Sequence, residues 1–242
     1  MKKTILLWAI SFFSFLTFSQ SESSPGFQLG IEASPSIGWF NPDSDGLSNE
    51  GSKIGFNFGL IGDFNITKNY AFSTGLIIMS TGGEIEFPDR KNVNALEVGG
   101  RTTADIRLNY IQVPLTLKLS TNQIGYLTYF ARFGFGLAVN YNAETDEEFE
   151  FPASSGTNNF DEVDYADEIS LIRTSLIVGL GAEYNLSGNT ALVLGLSLDN
   201  GINNILSEDI YDEDANGNGI GDRNQDFKSI NNILVVNLGI IF

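Results

Sequence analysis

SINNILVVNLGIIF, residues 229–242, alternates in side-chain character along its length. Taken by parity, Ile230, Leu234, Val236, Leu238, Ile240 and Phe242 fall on one face, broken only by Asn232. Asn231, Asn237 and Gly239 share the opposite face with Ile233, Val235 and Ile241. Period-two alternation of this kind marks a strand with one fully apolar side. The strand also stops on an aromatic residue, which a soluble strand rarely leaves exposed.

Working back along the chain, the same alternation recurs. Residues 27–40 place Phe27, Leu29, Ile31, Ala33, Ile37 and Trp39 on one face, with small and polar residues opposite. Further strands are expected at 53–65, 70–80, 107–119, 126–139, 169–186 and 190–199, each with an aliphatic or aromatic face. Opposite these faces stand Gly, Ser, Thr and isolated charges. Eight strands of about ten residues or more suit a tilted crossing of a bilayer. The connections alternate in length. Residues 41–52, 81–105, 140–168 and 200–228 are expected as long polar loops, and 66–69, 120–125 and 187–189 as short turns. Short turns on one side and long loops on the other are the asymmetry of an up-and-down barrel. The expected fold is therefore an all-β, eight-stranded antiparallel up-and-down transmembrane β-barrel, with short periplasmic turns and long external loops. A soluble barrel or sandwich would turn the apolar faces inward and leave a Gly-rich, weakly charged face to water.

Composition and targeting agree with export. Lys2 and Lys3 precede an apolar run over residues 5–18, with Thr17 and Ser19 at the −3 and −1 positions of a cleavage site before Gln20. Residues 1–19 are thus expected as a signal peptide and 20–242 as the barrel domain. No later stretch is apolar and long enough for a transmembrane helix, so any span is made of strands. The 242 residues contain no Cys and no His, and carry a formal charge of −17. That charge argues against nucleic acid, which needs clustered Lys and Arg. Without His or Cys the usual nucleophile–base pairs are missing, so no enzyme is expected.

The terminal aromatic Phe242, the YIQVPLTLK stretch at residues 110–118 and GLGAEY at 179–184 carry a resemblance. The chain resembles the porin-like outer-membrane beta-barrel family, which includes PorT-type proteins. The resemblance implies a bacterial outer-membrane location and biogenesis through the barrel assembly machinery, with outer-membrane lipid as the surrounding partner. It implies no single activity. A small-solute pore or an accessory part of a secretion system is the alternative to a structural or binding role through the loops.

Three constellations stand out. The inward face holds Glu32, Asp63, Lys118, Arg132, Arg173 and Glu183. An eight-stranded barrel is just wide enough for side chains to fill, and buried charges need partners. The expected arrangement is a polar lumen network closing the barrel, with a selective pore as the alternative. Pro114, inside a strand, is a candidate bulge. The segment 140–168 carries ten acidic residues and no Lys or Arg. It is expected as a solvated loop, or as a surface for a divalent cation or a basic envelope or extracellular partner. Finally, Asp212, Asp214 and Asn216 followed by Gly217, with Asn218 and Asp222 beyond, imitate the start of a calcium loop. Arg223 occupies the position where such a loop places its bidentate Glu. The segment reads either as a Ca2+ site or as an ordinary Asp/Asn/Gly turn.

Overall fold

β-Branched, aromatic and leucine-rich alternation builds extended chain, and Gly, Asn and Pro punctuate it. The structure, a computed structural model, describes residues 26–43, 46–93, 96–150, 157–164, 169–206, 210–211, 223–224 and 228–242. Its strands are β1 (Phe27–Pro42), β2 (Ser48–Asn65), β3 (Tyr70–Val93), β4 (Leu96–Ser120), β5 (Leu127–Glu150), β6 (Thr157–Asp164), β7 (Ile172–Ser187), β8 (Thr190–Gly201), β9 (Ile210–Tyr211), β10 (Arg223–Asn224) and β11 (Ser229–Ile241). Strands β1 to β5, β7, β8 and β11 pair in an antiparallel circuit of eight. The circuit closes where β11 meets β1, from Gly30↔Ile241 to Pro42↔Ser229. Phe242 extends this seam: its N–H donates to the Leu29 carbonyl at 2.8 Å. Among the described residues the eight-strand circuit closes at membrane level with no open sheet edge, which is what a strand-built membrane span requires.

Parity decides what each face meets. Leu192, Leu194, Leu196 and Leu198 of β8 are exposed, as are Leu234 and Leu238 of β11, while Ile233, Val235 and Ile241 are buried. The same holds for Phe56, Phe58 and Leu60 of β2 and for Phe133, Phe135 and Leu137 of β5. Large apolar side chains thus ring the outside, and the lumen is the core.

Two of the expected loops are mostly strand. Residues 81–93 and 96–105 continue β3 and β4, paired from Thr81↔Leu108 to Val93↔Leu96. Residues 140–150 continue β5, paired with β4 up to Arg101↔Glu150, and β6 folds back along the other edge of β5, from Glu144↔Asp164 to Glu150↔Thr157. The barrel wall therefore stands taller at β3–β4–β5 than at β7–β8. Within this tall part the pattern inverts. In β4, Ile111, Leu115, Leu117 and Leu119 point outward, but beyond Asn109 the apolar residues Ala104, Ile106 and Leu108 point inward and are fully buried. The outer positions there are Arg101, Thr103, Asp105 and Arg107. A bulge also falls elsewhere than expected. Pro114 faces Gly136 across an unshifted β4–β5 ladder, and the irregularity lies at Tyr141, between Tyr110↔Asn140 and Asn109↔Asn142. Toward β3, the pairing skips the positions beside Pro114 and resumes in the same register, as a missing N–H predicts.

Candidate functional site

Among the described residues, the lumen gathers charged side chains out of water, and it is layered. At the short-turn end, β2, β4 and β7 bring Asp63, Lys118 and Glu183 together. Lys118 forms ion pairs with both carboxylates, and Asp63 also accepts from the Ser73 hydroxyl. All three charged residues are buried. The Lys118 ammonium stands 5.2 Å from the centre of the Phe130 ring. The Arg132 guanidinium lies at 5.2 Å from that ring too. A cation over an aromatic face gains electrostatically from the ring quadrupole. The ring fits because β7 and β8 present glycine: a Cβ on Gly181 would come within 2.6 Å of Phe130 Cζ.

The middle layer holds the remaining members of the sequence-predicted set. Glu32 accepts from Ser34 Oγ at 2.7 Å and from Asn237 Nδ2 at 2.9 Å. Neither Glu32 nor Arg132 forms an ion pair with another described residue; both line a cavity of about 50 Å³ together with Asn57, Gln112 and Asp199. A cavity of this size and polarity suits bridging water between the two charges. Arg173 instead meets a carboxylate that sequence reading passed over, Asp199 on β8, at 2.7 Å. Asp199 also accepts from Gln112 Nε2 at 2.6 Å, and Arg173 donates to the Asn231 carbonyl at 2.9 Å. The signal for Asp199 was available. It stands in odd register with Val193 and Ser197, opposite the exposed row of leucines.

Above this layer the lumen turns apolar. Phe40, Met79, Ile85, Ile106, Leu108, Ile205 and Ile233 pack in one buried cluster. The expected polar network fills the lower and middle layers; the upper half is packed chiefly by this apolar cluster. The reason is the inverted parity of the tall wall, which sends Ile85, Ala104 and Ile106 inward above the exposed apolar band.

Outside that plug, the wall carries charge. Lys53 pairs with Asp105 and Arg101 with Glu86, while Arg107 meets Asp146 at 2.6 Å. Along β5 beyond the bulge, Glu144, Asp146, Glu148 and Glu150 occupy successive outer positions. This acidic row is strand, where a solvated loop was expected. The calcium-like residues Asp212, Asp214, Asn216, Asn218 and Asp222 lie outside the described residues. Among the described residues, no cluster of three or more acidic groups has the geometry to hold a metal ion.

Among curated proteins none matches the sequence. Solved structures similar in fold include Neisserial surface protein A (NspA), at 14% identity over 91% of this chain and 98% of that one, with a TM-score of 0.42. OprG from Pseudomonas aeruginosa is similar at 10% identity over 92% and 99% of the two chains, with a TM-score of 0.46. Ail, the attachment invasion locus protein of Yersinia pestis, is similar at 12% identity over 90% and 100%, with a TM-score of 0.36. The family described as outer membrane protein beta-barrel domain matches residues 18–213. With its closed eight-stranded circuit and apolar exterior, the chain belongs to this outer membrane protein beta-barrel domain family and is a protein of the bacterial outer membrane.

Proposed function

We propose that this barrel is non-catalytic and non-conducting, and that it acts as a structural or binding protein through its acidic external face. The observation that carries the reading is the lumen, filled by ion pairs at one end and by the Phe40–Ile106–Ile233 cluster at the other. The absence of His and Cys from the sequence supports the non-catalytic part. The row Glu144, Asp146, Glu148 and Glu150 supports a partner that is basic, or that is bridged by divalent cations. The resemblance of the YIQVPLTLK stretch at residues 110–118 supports a PorT-type barrel within this proposal. Calcium binding by Asp212, Asp214, Asn216, Asn218 and Asp222 belongs to the same proposal. It predicts heats in a calorimetric calcium titration that Asp212→Ala with Asp214→Ala removes.

Planar-bilayer recording of the purified, heat-modifiable protein tests the closed lumen. The expected trace shows no stable conductance; reproducible large single-channel steps favour the pore instead. Binding of a basic polypeptide to the reconstituted protein tests the external face. It should weaken steeply with salt and be lost when Glu144, Asp146, Glu148 and Glu150 are all changed to Gln. Unchanged binding in that variant would contradict the assignment of the acidic row.

A further inference from the structure

Directly after β8 the chain turns back across the open end of the lumen. Ile205 is fully buried there and Leu206 nearly so, both within the apolar plug. Little of the barrel ladder holds them. The Ile205 N–H donates to the Ser229 carbonyl at 3.0 Å, and its carbonyl accepts from Ser170 N–H at 2.8 Å. Leu206 makes one isolated bridge with Ile169. The Ile202 N–H also donates to the Thr174 carbonyl at 2.9 Å, and two side-chain amides add to the fastening. Asn203 Oδ1 accepts from the Thr174 N–H at 2.7 Å and from its hydroxyl at 2.9 Å, and Asn203 Nδ2 donates to the Ile172 carbonyl at 2.8 Å. Asn204 Oδ1 accepts from the Ser229 N–H at 2.9 Å, while its Nδ2 donates to the Leu206 carbonyl at 2.6 Å. Asn203 thus buttons the segment to β7, and Asn204 buttons it to β11.

Near this segment lie polar groups that the closed arrangement leaves unsatisfied. Arg173 is wholly buried, yet its Nε and Nη1 have no hydrogen-bond partner among the described residues, and neither do Asn231 Oδ1 and Ser229 Oγ. Unmet buried donors and acceptors oppose the state that buries them. Apolar contact and the two asparagines favour the same state. The two sets of terms act on one short segment, while below the rim the ladders from Asn232↔Asn200 and Ser175↔Gly201 downward pair without it.

We infer that residues 202–206 form a releasable strap over the extracellular mouth, whose lifting wets the lumen down to Arg173 without unfolding the barrel. The inference rests on the closed lumen proposed above, and its test is separate from wild-type conductance. The chain has no native cysteine, so Leu206→Cys and Ile205→Cys each introduce a single thiol. Labelling by a membrane-impermeant maleimide is followed in liposomes, with and without Asn203→Ala plus Asn204→Ala. The expected result is slow labelling of either thiol with the asparagines present, and labelling at least ten-fold faster without them, the heat-modifiable gel shift being kept throughout. Three results would overturn the strap: fast labelling with both asparagines in place, labelling that their removal does not accelerate, or loss of the gel shift in the Asn203→Ala, Asn204→Ala protein without added cysteine.

Discussion

Gly181 shows what a single missing side chain contributes. A Cβ there would lie 2.6 Å from Phe130 Cζ and 2.5 Å from the Leu194 carbonyl. One of those neighbours is backbone and has little room to give. Gly181→Val is therefore expected to destabilise the barrel by about 1–3 kcal/mol, the range for overpacking, read as a shift in urea unfolding from lipid vesicles. Asp199 makes the complementary case, since it is the carboxylate partner of the fully buried Arg173. Asp199→Ala strands that cation and is expected to cost about 3–5 kcal/mol. Replacing both residues by apolar ones of similar volume should restore most of the loss, because the desolvation cost of the pair goes with it. A double variant no more stable than Asp199→Ala alone would contradict this account of the middle layer.

At the scale of elements, the bulge at Tyr141 sets which way the β5 part of the tall wall faces. Before it, Leu137 and Val139 point outward; after it, Ala143 is buried and Glu144 takes the outer position. Strand side chains alternate, so a one-residue slip exchanges the two faces. Deleting Tyr141 should turn Glu144, Asp146 and Glu148 onto Ile106 and Leu108. The expected outcome is proteolysis of the external β4–β5 segment, with the membrane-embedded barrel still resistant and heat-modifiable. Resistance of the whole chain would show that the bulge does not set the register. The eight barrel strands were legible in the sequence because lipid on the outside enforces one apolar face along each. The external extension was not legible in that way. Above Asn109 the solvent outside is water, so the apolar face changes sides. Ala104, Ile106, Leu108 and Tyr110 keep a period of two, but on the opposite parity from Ile111, Leu115 and Leu117. A search for outward apolar rows reads this inversion as a loop. Lumen pairing was hidden for a different reason. Arg173 reaches Asp199 across the β7–β8 register, where Ile177↔Asp199 and Ser175↔Gly201 are the facing pairs, and no count along one strand reveals that.

For the whole molecule, the central claim is an inside-out core: lipid meets the leucine and phenylalanine rows, and the lumen is packed and closed. The charged external wall and the strap both take their place from which face is outside. Fluorophores placed on single cysteines along the last strand test it most directly, in vesicles containing a brominated, quenching lipid. Leu234→Cys and Leu238→Cys stand on the outer face, and Ile233→Cys and Val235→Cys on the inner one. The account predicts strong quenching at 234 and 238 and little at 233 and 235. Uniform quenching, or quenching at 233 and 235 instead, would contradict it.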